Sequence, residues 1–222
     1  MDCQSRRLLV IVCRNPDVGN VKTRLIPALG ADGVRALYRA FLQDLSGRFA
    51  DREYDLLWAY TPEGGPLAVE LTSGRIYPQE GPDLGRRLLR IFERSVDKGY
   101  DRVVVISSDV PHLPVEVVEA AFEGLCRCDV VLAPSEDGGY HLVGMRGVYD
   151  IFTMVPMSTP AVFEQTREII SERGLCLQIL TADFDVDVPE DLPRLTDRLA
   201  QDAALSQGHT ARALDGMQVL TR

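Results

Sequence analysis

The chain has 222 residues, 45% of them apolar and 26% charged, with a net charge of −9. That is enough for one large α/β core. It is too acidic for a protein that holds duplex nucleic acid by neutralising phosphates. No run approaches the ~20 apolar residues of a membrane span, and the first residues, Met1 to Arg7, lack a signal-peptide pattern. The five cysteines are scattered. Cys126 and Cys128 form a C-x-C with no second pair at zinc-site spacing, which fits free thiols in a cytoplasmic protein.

Leu8 to Cys13 reads as the first strand. The polar loop from Arg14 to Arg24 follows, punctuated by Pro16 and Gly19 and closed by Lys22, Thr23 and Arg24. It matches neither G-x-x-x-x-G-K-[ST] nor G-x-G-x-x-G, so neither of those nucleotide motifs applies. From about Asp32, Val34, Leu37, Tyr38, Phe41, Leu42, Leu45 and Phe49 fall at helical spacing. Asp55 to Tyr60 is a second strand, ended by the turn Thr61–Pro66, and a third lies near Arg75 to Tyr77. Asp83 is placed to cap a helix that Gly99 ends. Gly85, in its first turn, marks a close approach of a ligand or another backbone, and Arg86 and Arg87 form either a phosphate contact or a solvated face.

Arg102 to Ser107 is a short β-branched run of the kind buried on both faces of a sheet. It stops at Ser108, Asp109, Val110 and Pro111. Pro114 suits the start of the next helix. Asp129 to Ala133 is another buried strand, followed by the loop Pro134 to Tyr140. His141 to Gly144 is expected to return as a short strand, and Val148 to Phe152 as a short helix. A further helix is expected with Ser158 or Thr159 as cap and Pro160 at its first position, ending at Gly174. Leu175 to Leu180 is the last clear strand. After the acidic run Asp183 to Asp191 a helix extends to about Leu205, its regular part starting near Pro193. Residues 1–206 are expected as one domain and 207–222 as a weakly patterned, partly mobile tail. The alternation of strands and helices predicts a single α/β domain with a mostly parallel sheet.

Carboxylates recur at one kind of place, the loop after a buried strand: Asp109, then Glu136 and Asp137, then Asp185 and Asp187. In open α/β sheets that is where ligands bind. Magnesium takes one or two carboxylates and completes its octahedron with water and substrate phosphates. Asp109 and Asp187, with Asp185 beside them, are therefore the candidate metal ligands. Arg14, Lys22, Thr23, Arg24 and Ser108 are the candidate phosphate contacts. Gly138 and Gly139 allow close backbone approach to a sugar or base. Asp137 or Glu136 would orient or deprotonate an acceptor. His112, in the same loop as Asp109, either touches substrate or lies at the surface. No signature of a triad hydrolase is present.

Five segments together resemble a known bacterial family: Asn15 to Leu25, Ser108 to Pro111, Glu136 to Gly144, Ser158 to Pro160, and Asp185 to Leu192. The family is the radical-SAM/selenodomain-associated glycosyltransferases of the nucleotide-diphospho-sugar transferase superfamily. The ending from Asp185 also looks like the D-T-P-E-D-L ending of nucleotidyltransferases such as CMP-Kdo synthetase. Lys22-Thr23-Arg24-Leu25 looks like a feature of phosphoenolpyruvate guanylyltransferase-like proteins. The chain departs from the family pattern at Asn20, Ser108, His141 and Val188, and it lacks L-x-x-G-x-G-x-R-M. The resemblance implies a GT-A/Rossmann-like three-layer sandwich, Mg2+ or Mn2+ on Asp109 and Asp187, and a nucleotide substrate with a small-molecule acceptor. It implies first a glycosyltransferase using a nucleotide-diphospho-sugar. The alternatives are a nucleotidyltransferase, guanylyl or cytidylyl, that releases pyrophosphate from a nucleoside triphosphate, and a nucleotide-binding module without chemistry. A homodimer is left open.

Overall fold

The computed structural model describes residues 6–18, 20–62, 67, 71–157 and 159–217. Gly19, residues 63–66 of the turn after the second strand, the Ser158 cap and residues 218–222 of the tail lie outside the described residues. Short β-branched runs become the strands β1 (Arg7–Arg14), β2 (Asp55–Thr61), β3 (Arg75–Pro78), β4 (Arg102–Ser107), β5 (Val130–Pro134), β6 (Tyr140–Met145) and β7 (Leu177–Ile179). They form one sheet in the order β3-β2-β1-β4-β6-β5-β7. All neighbouring pairs are parallel except those of β6, which runs antiparallel to both β4 and β5. The short return strand expected at His141 to Gly144 is thus present as β6. It lies inside the sheet, with Leu142, Val143 and Met145 buried.

Side chains alternate across the sheet and build two cores. Leu9 and Ile11 of β1 pack with Phe41 of α1 (Ile26–Phe49), Phe122 of α3 (Val115–Gly124), Leu195 of α5 (Asp191–Ala200) and Leu214 of α6 (His209–Gly216). Leu8 and Val10 pack on the other face with Phe92 of α2 (Leu84–Asp97) and Ile170 of α4 (Val162–Glu172). The result is the expected three-layer sandwich. Within the segment read as a tail, α6 starts where Asp44 of α1 accepts the backbone N–H groups of His209 (2.7 Å) and Thr210 (2.8 Å).

Local chemistry decides the element ends. Gly30, at φ 70° and ψ 164°, breaks α1, so its regular part begins where the apolar period does. Asp83 caps α2 by accepting from the Arg86 N–H at 2.8 Å. A side chain on Gly85 would meet the Phe152 carbonyl at 3.0 Å, so the close approach there is to another backbone. Pro193 stands in the first turn of α5, where its missing N–H breaks no helical bond.

Two expected helix features are corrected. Val148 to Phe152 is irregular, because the Asp150 carboxylate accepts from the N–H groups of Phe152 (3.3 Å) and Thr153 (3.0 Å) and competes with helical pairing. The helix expected at Pro160 starts at Val162, capped by no side chain.

A candidate nucleotide and metal crevice

Because β1 to β5 and β7 run in one direction and β6 runs against them, strand ends Arg14, Thr61, Ser107 and Pro134 share one rim with the start of β6 at Tyr140. A crevice of about 1100 Å³ opens there. Arg14, Lys22, Thr23, Arg24, Ser108, Asp109, Asp137, Gly139, Asp185 and Asp187 all line it. Residues from the loop after the first strand to the loop after the last thus meet at one place.

Two loops set the acidic floor. Asp109 follows β4, its N–H bonded to the Ser107 hydroxyl at 3.1 Å. The run Phe184-Asp185-Val186-Asp187 alternates apolar and acidic. Phe184 and Val186 are buried in the core, while Asp185 and Asp187 line the crevice. The Val186 N–H donates to the Asp109 carbonyl at 2.9 Å, tying the two loops together. The Asp191 carboxylate accepts the N–H groups of Asp187 (2.8 Å) and Val188 (2.9 Å), which fixes the Asp187 backbone.

Lys22 closes this floor. Its ammonium lies 2.9 Å from Asp109 Oδ1 and also pairs with Asp187 Oδ1. The side chain is only 6% exposed, and the backbone is left-handed at φ 44°. Burial would lower the Lys22 pKa, but the Asp109 and Asp187 carboxylates outweigh it and hold it raised. Lys22, expected from the sequence as a phosphate contact, lines the crevice and is paired with two carboxylates.

Asp185 is partly buried in the crevice wall. Burial pushes its carboxyl up to about 7, and the Asp109 and Asp137 charges push it further, against the lowering effect of the Lys22 ammonium. Among the described residues no three His, Cys, Asp or Glu side chains converge as a metal shell. Asp109 and Asp187 do share one point, the Lys22 ammonium. Two carboxylate oxygens aimed at one position fit a magnesium-type ion completed by water and phosphate. Asp185 is not brought to that point as a third ligand.

Several expected contacts fall elsewhere. Glu136 turns away from the lining and pairs with Arg194 at 2.8 Å. Gly138, at φ +90°, packs on the Pro160 carbonyl, which a side chain there would meet at 2.0 Å. Its lack of a side chain is required by that packing. The Ser108 hydroxyl is buried against Tyr38 Oη at 2.7 Å. His112 is buried, stacked on Phe184 and 3.2 Å from Asp183 Oδ1, so it does not reach the crevice.

Tyr38, Gln79 and Arg87 also line the crevice. Tyr38 falls at the helical spacing of the core face, yet its hydroxyl links the Arg14 N–H (2.9 Å) to Ser108. Helical spacing cannot tell a core Tyr from a core Phe. Gln79 lines the wall and donates to the Ala59 carbonyl at 2.8 Å. Its place after β3, on the same rim as the other loops, was the signal. Arg87, left open between phosphate contact and solvated face, lines the same wall and donates to the Gly81 carbonyl at 2.9 Å.

This fold and crevice define an α/β transferase domain. The chain belongs to the DUF2064 family, described as uncharacterized proteins conserved in bacteria, whose model matches residues 48–159. It is 31% identical to a crystal structure from Desulfovibrio desulfuricans G20 named "putative nucleotide-diphospho-sugar transferase", with a TM-score of 0.88 over 96% of this chain and 97% of that one. Over 180 residues it is 29% identical to 2-phospho-L-lactate guanylyltransferase of Methanothermobacter thermautotrophicus, covering 78% of this chain and 77% of the relative. Phosphoenolpyruvate guanylyltransferase of Sphaerobacter thermophilus is 26% identical over 80% of this chain and 87% of its own.

Proposed function

We propose that the protein is a nucleotidyltransferase that moves a guanylyl group from a nucleoside triphosphate onto a phosphorylated small acid and releases pyrophosphate. The observation that carries this is the convergence of Asp109 and Asp187 on one point, beside a loop that brings Arg14, Thr23 and Arg24 to the same crevice. Two relatives named as guanylyltransferases support guanosine triphosphate as donor and a three-carbon phosphate as acceptor.

Asp109 and Asp187 would hold Mg2+ or Mn2+, which supplies charge neutralisation for the triphosphate and the departing pyrophosphate. Arg14 and Arg24 offer guanidinium donors to phosphate oxygens. A phosphate acceptor is already ionised near neutral pH, since its second pKa is about 6. Its oxygen attacks the α-phosphorus, and the bond to the bridging oxygen of pyrophosphate breaks. No proton has to be removed from the acceptor. The outward turn of Glu136 is compatible with that chemistry. It would suit glycosyl transfer to a hydroxyl less well, because a hydroxyl benefits from a general base. Asp137 remains at the crevice, its carboxylate accepting the Gly139 N–H at 2.9 Å, in a place to orient the acceptor.

The test is pyrophosphate release with the four nucleoside triphosphates, each with phosphoenolpyruvate or 2-phospho-L-lactate, in Mg2+ or Mn2+. Guanosine triphosphate is expected to turn over. Asp109→Asn and Asp187→Asn should each lower the rate by at least ~100-fold. Turnover of nucleotide-diphospho-sugars without pyrophosphate release from any triphosphate would instead favour glycosyl transfer.

A further inference from the structure

Lys22 and Lys98 are the only lysines of the chain, which otherwise uses arginine for its cations. Lys98 is exposed at the end of α2. Lys22 is enclosed, with left-handed backbone, and its ammonium pairs with both carboxylates of the proposed metal site. An arginine at this position would fork around a carboxylate. A compact ammonium on a flexible stem instead sits where a small ion would sit, and it can swing away. Two carboxylates this close repel each other unless a cation lies between them.

Resting on the metal reading above, we infer that Lys22 is a resident counter-cation that competes with the divalent ion for Asp109 and Asp187. It holds the two carboxylates together in the free protein and leaves them when a divalent cation takes its place. Free protein should then bind the metal weakly, and the cost of displacing Lys22 should be met when nucleotide phosphates receive its ammonium. Thr23 and Arg24, next in the chain and lining the same crevice, would be carried with it.

The unsubstituted protein tests this through reductive methylation read by peptide mass spectrometry. Lys98 serves as the internal reference. Without metal, Lys22 should label far more slowly than Lys98. Saturating Mn2+ should raise the Lys22-to-Lys98 ratio by roughly tenfold as the ammonium is released. In parallel, Lys22→Met and Lys22→Gln should bind Mn2+ at least ~10-fold more tightly than the parent without nucleotide, because a competing charge is gone. Paramagnetic resonance of free Mn2+ reads that affinity directly. Asp187→Asn should abolish the binding. If Mn2+ binds the parent while Lys22 labelling stays constant and both Lys22 variants bind no better, the competition is refuted and the metal site stands. If Mn2+ binds neither parent nor variants, with or without guanosine triphosphate, the metal reading falls and the competition with it.

Discussion

Burial sets the chemistry of Asp185: its carboxyl is pushed up to about 7 in the folded protein, from an ordinary value of 3.8. Between those two values the folded state holds a proton that the unfolded state has released. Stability therefore falls as pH rises through that window and levels off above about 7. Asp185→Asn removes this loss, so in metal-free protein its melting temperature should exceed the parent's by more at pH 8 than at pH 5. An equal difference at both pH values would show that Asp185 ionises freely in the fold. Glu136 and Asp137 make a second contrast. Glu136 is paired with Arg194 on the surface, and such exposed pairs contribute little. Glu136→Ala should leave pyrophosphate release within about twofold of the parent, whereas Asp137→Ala should lower it by roughly tenfold or more, read in the same assay. The carboxylates were legible in the sequence because each follows a buried strand. The partner of Asp187 was not, since Lys22 lies 165 residues away in the chain. No local pattern reports such a pairing.

The hairpin between β5 and β6 shows how an element serves the crevice. Gly138 takes φ +90° and its α-carbon packs on the Pro160 carbonyl. Gly138→Ala adds both backbone strain and a clash, and should cost at least ~2 kcal/mol. Gly139→Ala meets only the Asp137 carboxylate, at 3.2 Å, so its melting temperature should drop much less in the same thermal scan. Strands were legible from short β-branched runs such as Val103 to Ile106. The depth of β6 was not, because its place between β4 and β5 depends on pairing partners and not on its own composition. The irregular segment near Asp150 was misread for a related reason: its apolar spacing suggests helix, while one carboxylate captures the N–H groups that a helix would need.

At the scale of the whole molecule, the crevice joins residues from Arg14 to Asp187, so ligand binding should stabilise the entire fold. With Mn2+ present, guanosine triphosphate at 100 times its dissociation constant should add about 2.7 kcal/mol, or roughly 5–10 °C in melting temperature. Differential scanning fluorimetry checks this, with cytidine triphosphate and metal-free guanosine triphosphate as the comparisons expected to give smaller shifts. Equal shifts for both bases would argue against a guanylyl donor. Among the described residues no helix is long and apolar enough to cross a membrane.

The antiparallel insertion of β6 also divides the sheet by chain order. β1 to β4 come from residues 7–107 and β5 to β7 from residues 130–179, and among the described residues β4 against β6 is the single strand pairing that joins the two sets. Each set can pair its own strands before that seam forms, but Lys22 belongs to the first part and Asp187 to the last. During refolding, strand signal should therefore recover before nucleotide binding does. The capacity to bind would then mark the moment at which the two blocks of chain have come into register.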